Sequence, residues 1–186
     1  MIYTQKIQEA INVAETAHKG QKRIDGTANK DIPYIVHPLS VAIILARVEA
    51  SENTIIAGIL HDVVEDTKVT LKDIEKQFGK HVADIVNEVT ERGDLSWDER
   101  KRLQLDGIKR MSRDGLLVRS ADFLNNTRDT LYKYQSDGDS WFNKINGIPK
   151  EKRLKYWSTT LEELKKAWPK NPLIPELEDV LNKLHE

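Results

Sequence analysis

Residues 55–67 read IIAGILHDVVEDT. The stretch predicts a very apolar helix, with Ser51 placed to cap it and HDVVEDT as its last turn. Into that apolar run the chain inserts His61 and Asp62, with Glu65 and Asp66 four positions after each. Residues four apart on a helix are neighbours on one face, so His61 stacks over Glu65 and Asp62 over Asp66. Four ionisable groups then share about one turn. Burying an unpaired carboxylate costs roughly several kcal/mol even after relaxation, and this segment shows no lysine or arginine before Lys68 to offset it. A bound cation is the natural compensation. A lone His-Asp pair in a helix is commonly surface or salt-bridged, so the reading needs support from elsewhere in the chain.

Outward from this segment, nearly everything reads with helical period. Ile7, Ala10, Ile11 and Ala14 form one stripe. Lys19 to Asp31 is polar, carries two glycines and reads as a loop. Pro38 suits a first helical turn, followed by Leu39, Val41, Ala42, Ile44, Leu45 and Val48. Thr70 with Asp73 resembles a capping box, and Gly79 is placed to end that short helix. Val82, Ile85, Val86 and Val89 mark the next, which Gly93 would close. Ser96 with Glu99 is a fuller capping box. Another helix runs from about Asp114 to Gln135, and SDGDSWFNKINGIP reads as a loop containing aromatics. Leu154, Trp157, Leu161, Leu164 and Trp168 are again helical, and three prolines precede a last helix with Leu177, Val180, Leu181 and Leu184. No strand pattern of comparable strength and no internal repeat appears. The expectation is an all-α fold, a single helical bundle over residues 1–186.

Composition narrows the function classes. Hydrophobic residues make up 39% and charged residues 32% of the 186, as in a soluble globular domain. Lysine plus arginine, 29, nearly balances aspartate plus glutamate, 30, so no global field draws nucleic acid or anionic membrane. Basic residues in KRLQ and in 109–113 are too weak a pattern for a nucleic-acid motif. The absence of cysteine removes disulfides, thiolate zinc sites and cysteine nucleophiles. No signal-peptide layout and no membrane-length apolar run is present, so a cytoplasmic protein is expected.

Two further segments support the cation. His37 stands at the mouth of a helix, immediately before Pro38, where its ring can point out of the core toward a ligand. Asp122 follows Ala121 on the apolar side of its helix, with Asn126 one turn on and Arg119 as a competing partner three positions earlier. Two imidazoles and two carboxylates can hold a divalent metal, manganese, zinc, iron or nickel among them.

The order H…HD…D is that of the HD-domain phosphohydrolases. PYIVHPLSVA, GILHDVVEDT, VTLKDIEKQFGKHVADIVNEVT and ADFLNNTRDTL resemble the hydrolase domain of the RelA/SpoT group, above all its stand-alone small alarmone hydrolases. The resemblance runs from about Ala14 to about Ala167, with 169–186 as a C-terminal helical extension. It implies that His37, His61, Asp62 and Asp122 bind one divalent metal, usually Mn2+. It implies that Glu65 and Asp66 are not ligands but assist the attack of water, as carboxylates can by accepting or relaying its proton. Asn126 and Arg128 are implied to contact the nucleotide sugar and phosphates, and Arg119 stands where the family usually has lysine. Arg128 has an alternative as a surface arginine paired with a neighbour. In ERKRLQ, Glu99 to Gln104, the family segment lies near the pocket mouth, but an exposed charged face is the simpler explanation.

The chain departs from the family before the first motif, in GQKRIDGTANKDIPYIVHP. Arg23 is present and can stack on a base through its planar guanidinium. Ile24 occupies the second basic position, and the following loop is longer. Phe123 and Asn125 replace residues commonly basic or aromatic. These changes concern the nucleobase end and leave the metal set intact. The implied reaction is hydrolysis of the 3′-pyrophosphate of guanosine tetra- or pentaphosphate to GDP or GTP plus pyrophosphate, by a hydrolase acting alone on a small nucleotide. The alternatives are an HD phosphatase on another nucleotide (an NADPH 2′-phosphatase or a nucleotidase) and a nucleotide sensor without turnover. Trp141, Phe142, Trp157 and Trp168 serve either the core or a self-association surface.

Overall fold

The computed structural model describes residues 3–23, 32–91, 93, 95–144 and 147–186, with side chains at 143 and 144 left aside. Ile24 and most of the loop that departs from the family lie outside the described residues. Eleven helices occur among those described: α1 (Gln5–Ala17), α2 (Val36–Arg47), α3 (Glu52–Leu60), α4 (Val63–Asp66), α5 (Leu71–Phe78), α6 (Lys80–Val89), α7 (Trp97–Ile108), α8 (Arg113–Asp137), α9 (Ser140–Lys144), α10 (Lys150–Ala167) and α11 (Ile174–His185). Among the described residues, the one bridge of strand type joins Lys22 to Pro33. The all-α expectation holds. No described helix is long and apolar enough to cross a membrane.

Helix starts follow the cap chemistry. Thr4 and Ser51 accept from the amides of Ile7 and Thr54, and Ser112 accepts from Gly115. Thr70/Asp73 and Ser96/Glu99 both form complete capping boxes, each satisfying two amides that a helix leaves orphaned. Gly79, at φ 91°, ends α5 in a backbone conformation that favours glycine.

The core is organised around α3, which is buried from Thr54 to Leu60 and wrapped by α1, α2, α6 and α8. Gly58 makes this enclosure possible: a Cβ there would lie 2.4 Å from Leu45 Cδ1, so α2 and α3 approach over a bare backbone. That approach sets His37, in the first turn of α2, beside His61 at the end of α3. Helix α8 packs on α2, α3, α6 and α11, and α10 bridges α7 and α11.

Three local expectations are corrected. The apolar helix does not continue through HDVVEDT. It stops at Leu60, and α4 begins only at Val63. His61 turns back on α3, its Nδ1 2.8 Å from the Gly58 carbonyl. Adjacent residues on an unbroken helix point about 100° apart; the break lets His61 and Asp62 aim at one point. Next, α6 is closed by Thr90 rather than Gly93, since the Thr90 hydroxyl takes the Val86 carbonyl and its backbone turns extended. Last, the stretch 136–149 contains α9, because Trp141 and Phe142 are core residues, Phe142 packing on Tyr134 and Trp157. Trp157 is buried too, and Trp168 lies under the Arg113 guanidinium, so these aromatics serve the protein's own packing.

Candidate active site

Three places in the fold converge on one point: the start of α2, the α3–α4 break, and the middle of α8. His37 Nε2 lies 3.4 Å from Asp62 Oδ2 and 3.3 Å from Asp122 Oδ1. His61 Nε2 lies 3.1 Å from Asp62 Oδ2 and 3.8 Å from Asp122 Oδ1. Donor atoms of His37, His61 and Asp122 all fall within 4.8 Å of one another. Asp62 reaches both imidazoles with the oxygen that also accepts the Tyr34 hydroxyl at 2.7 Å.

Each ring has its far nitrogen tied. His61 Nδ1 donates to Gly58, and His37 Nδ1 lies 2.6 Å from Asn125 Oδ1. A protonated Nδ1 leaves the Nε2 lone pair facing inward, as a ligating histidine requires. His61 Nε2 is buried and makes no hydrogen bond of its own. Buried polar atoms almost always have a partner, so this orphan, aimed among carboxylate oxygens, fits a cation. The N2O2 donor set can hold a divalent metal.

The electrostatics agree. Burial disfavours a charged His61, yet Asp62 and Asp122 outweigh it and hold the imidazolium pKa well above its ordinary value. Burial likewise works against ionising Asp62, but His61 and then His37 prevail and bring it down to about 2. For Asp122, burial is outweighed by His37, His61 and Arg119, leaving the carboxyl well below the usual range. The two carboxylates stay charged and demand positive charge between them. Asp122 divides its oxygens: Oδ1 faces the histidines and accepts from Asn126, and Oδ2 accepts from Arg119 Nη1 at 2.9 Å.

The cluster opens into a cavity of about 460 Å3. Glu65, Arg23, Arg119 and Asn126 all line it. Burial pushes the Glu65 carboxyl up to about 7, helped by the charges of Glu91 and Asp62 and opposed by the Glu91 amide, which donates to it at 3.0 Å. Arg23 donates to Asn126 at 2.9 Å and pairs with Asp129 at 2.7 Å. Asn126 donates in turn to Asp122 Oδ1.

Two expected residues are not brought to this wall. Asp66 is absent from the cavity lining and faces a second hollow beside Val13, Ala17 and Phe78. Its pKa is raised by burial and then by Asp62, with Tyr34 acting the other way. Arg128 is half-exposed and bonded to Glu176, which also holds Arg47; the surface alternative describes its position.

Conversely, the site uses residues that the pattern did not single out. Trp97, Lys101 and Gln104 line the cavity from one face of α7, while Arg102 points outward and pairs with Asp106. The exposed-face explanation of ERKRLQ is thus right for Arg102 and wrong for Lys101 and Gln104. Their spacing, four from Trp97 to Lys101 and three from Lys101 to Gln104, was the available signal. Arg153, Tyr156 and Trp157 supply an adjoining wall from α10, where Tyr156 bonds to Gln104 and packs on Trp97. Tyr34 and Asn125, inside quoted motifs, prove to be the partners of Asp62 and His37.

The family model described as the HD domain matches residues 10–137, more than half of the chain. The chain belongs to the HD-domain family. It is 45% identical over 125 residues to the guanosine-3′,5′-bis(diphosphate) 3′-pyrophosphohydrolase MESH1 of Xenopus tropicalis, covering 66% of this chain and 68% of that protein. The Drosophila melanogaster protein of the same name is 40% identical over 127 residues, 67% of this chain and 69% of its own. Among solved structures, one described by the words "a metazoan ortholog of SpoT hydrolyzes ppGpp and plays a role in starvation responses" superposes with TM-score 0.80 at 31% identity, covering 98% of this chain and 97% of that one. The lmo0812 protein of Listeria monocytogenes EGD-e gives TM-score 0.72 at 31% identity, over 78% and 96%. His37, His61, Asp62, Asp122 and the α7 wall fall within the matched HD domain; the α10 wall, with Arg153, Tyr156 and Trp157, lies beyond it.

Proposed function

We propose that this chain hydrolyses the 3′-pyrophosphate of guanosine tetra- or pentaphosphate, releasing pyrophosphate and GDP or GTP. The observation that carries the reading is the convergence of two imidazoles and two carboxylates at the floor of a cavity that also holds Glu65. The names of the frog and fly relatives, and the ppGpp hydrolysis ascribed to the structural neighbour, supply the substrate.

In this reading His37, His61, Asp62 and Asp122 hold one divalent metal, with Mn2+ the expected ion. When bound, such an ion acidifies water and polarises a phosphoryl oxygen. Glu65 accepts a proton from the attacking water, a task its raised pKa suits near neutral pH. Asp66 supports it from outside the wall, its charge meeting that of Asp62 around Tyr34. Arg23 stacks on the base, and Asn126 contacts the sugar. Lys101, 5.3 Å from the Tyr156 ring centroid and paired with Glu91, brings a cation to the phosphate end. Arg119 neutralises Asp122 rather than touching substrate. The protein takes a small nucleotide as its partner.

The test is a nucleotide panel with purified protein and Mn2+, reading pyrophosphate and orthophosphate separately. Pyrophosphate from guanosine tetraphosphate is expected. Orthophosphate alone, from NADPH or a nucleoside monophosphate, moves the assignment to a phosphatase, and binding without turnover moves it to a sensor.

A further inference from the structure

A line of buried and part-buried hydrogen bonds runs from the Asp122 carboxylate to Glu91, through residues of α8, α10 and α7. Arg119 Nη1 donates to Asp122 Oδ2 at 2.9 Å, and its Nη2 donates to the Tyr156 hydroxyl at 2.8 Å. That hydroxyl donates to Gln104 Oε1, and Gln104 Nε2 donates to Glu91 Oε1 at 2.7 Å. Arg119, Tyr156 and Gln104 are each less than a tenth exposed. From the guanidinium to Glu91 the three donors point the same way, so these bonds polarise one another, while the Nη1 bond to Asp122 points in the opposite direction.

Arg119 is the joint of this line. It is a buried cation whose Nε makes no hydrogen bond, so the contacts to Asp122 and Tyr156 fix the plane of its fork. A guanidinium held at both Nη atoms presents a rigid geometry to a carboxylate; held at one, it swings. Asn126 steadies Asp122 Oδ1, the oxygen turned toward His37 and His61, and the placing of Oδ2 depends on what holds the other end of Arg119. That holder comes from α10, beyond the residues matched by the family model. Its ring is independently seated by an edge contact with Trp97, so the hydroxyl is a fixed post.

We propose that Tyr156 is a positioning residue for the metal centre, acting through Arg119 on Asp122, with Gln104 as its anchor. The proposal rests on the metal-dependent reading of the site above. It gives the unmatched α10 wall a role in setting metal affinity, and it explains why a fully buried arginine is tolerated beside the ligand set.

Tyr156→Phe removes one oxygen and keeps the buried ring. Mn2+ titration by calorimetry on the metal-free full chain is expected to show dissociation weakened about three- to tenfold. With guanosine tetraphosphate, kcat falls by a similar factor at saturating metal while KM stays within about twofold. Gln104→Leu is expected to act in the same direction but less, and the double variant to be no worse than Tyr156→Phe alone, as for members of one line. Unchanged Mn2+ affinity in a folded Tyr156→Phe overturns the proposal, as does a rise in KM with kcat intact, which would make Tyr156 a substrate contact. Additive losses in the double variant overturn the relay. The metal titration contains no nucleotide, so a wrong substrate leaves this outcome standing on its own.

Discussion

Asn125 Oδ1 sits 2.6 Å from His37 Nδ1, and this contact decides which nitrogen of the imidazole faces the carboxylates. A neutral histidine carries one proton, and an amide oxygen can only accept, so the proton is kept on Nδ1. Asn125→Ala removes that constraint and is expected to weaken Mn2+ binding by roughly tenfold, the low end for lost partners of ligating histidines. Calorimetric titration checks it; an unchanged affinity means that packing alone holds the ring.

Glu65 offers a pH signature with a definite sign. Its carboxyl is raised from 4.5 to about 7. Below that range it is protonated and useless as a base, so kcat should rise as pH increases through about 7. For stability, the folded metal-free protein binds more protons than the unfolded chain between pH 4.5 and 7. Stability from this group is therefore full below about 4.5 and is lost as pH rises through about 7. Glu65→Gln should be inactive, equal to wild type in thermal melts near pH 4.5, and more stable at pH 8 by on the order of 2 kcal/mol after allowing for partial exposure. A variant less stable at pH 8 contradicts the burial argument.

Metal should stabilise the fold, because the proposed ligands come from α2, the α3–α4 break and α8. At a hundred times its dissociation constant a ligand adds about 2.7 kcal/mol. For a chain of this size that raises Tm by roughly 5–10 °C. Chelator should abolish the shift, and Asp62→Ala should not show it. A shift of equal size in Asp62→Ala would place the ion elsewhere.

The two arginines expected at the substrate part company. Arg23 lines the cavity, whereas Arg128 is tied to Glu176 at the surface. Arg23→Ala is expected to raise KM about tenfold, the scale of one lost charged contact. Arg128→Ala should leave kcat and KM within about twofold and cost no more than about 1 kcal/mol, as exposed pairs do. Steady-state kinetics on both variants separates them; the reverse ranking would return Arg128 to the site.

What could be read from sequence divides along physical lines. Local rules located the caps at Ser51, Thr70 and Ser96, because a hydroxyl and the amides it satisfies lie within three residues. The resemblance and the cost of burying charge named His37, His61, Asp62 and Asp122 before any geometry. The α3–α4 break escaped because helix periodicity does not register a side chain bonding back to a carbonyl, as His61 does to Gly58. The α10 wall escaped for another reason. Tyr156 meets Arg119 across 37 residues, and nothing local to either announces the contact. Asp66 and Glu65, one residue apart, end on different sides of α4, which a whole-turn argument does not resolve.

The most direct trial of the account is a crystal of this chain grown with Mn2+ and read by anomalous scattering. One peak is expected, at roughly 2–2.4 Å from His37 Nε2, His61 Nε2 and oxygens of Asp62 and Asp122. An ion bound elsewhere, or an empty cluster at saturating manganese with a proton left between those four side chains, would contradict it.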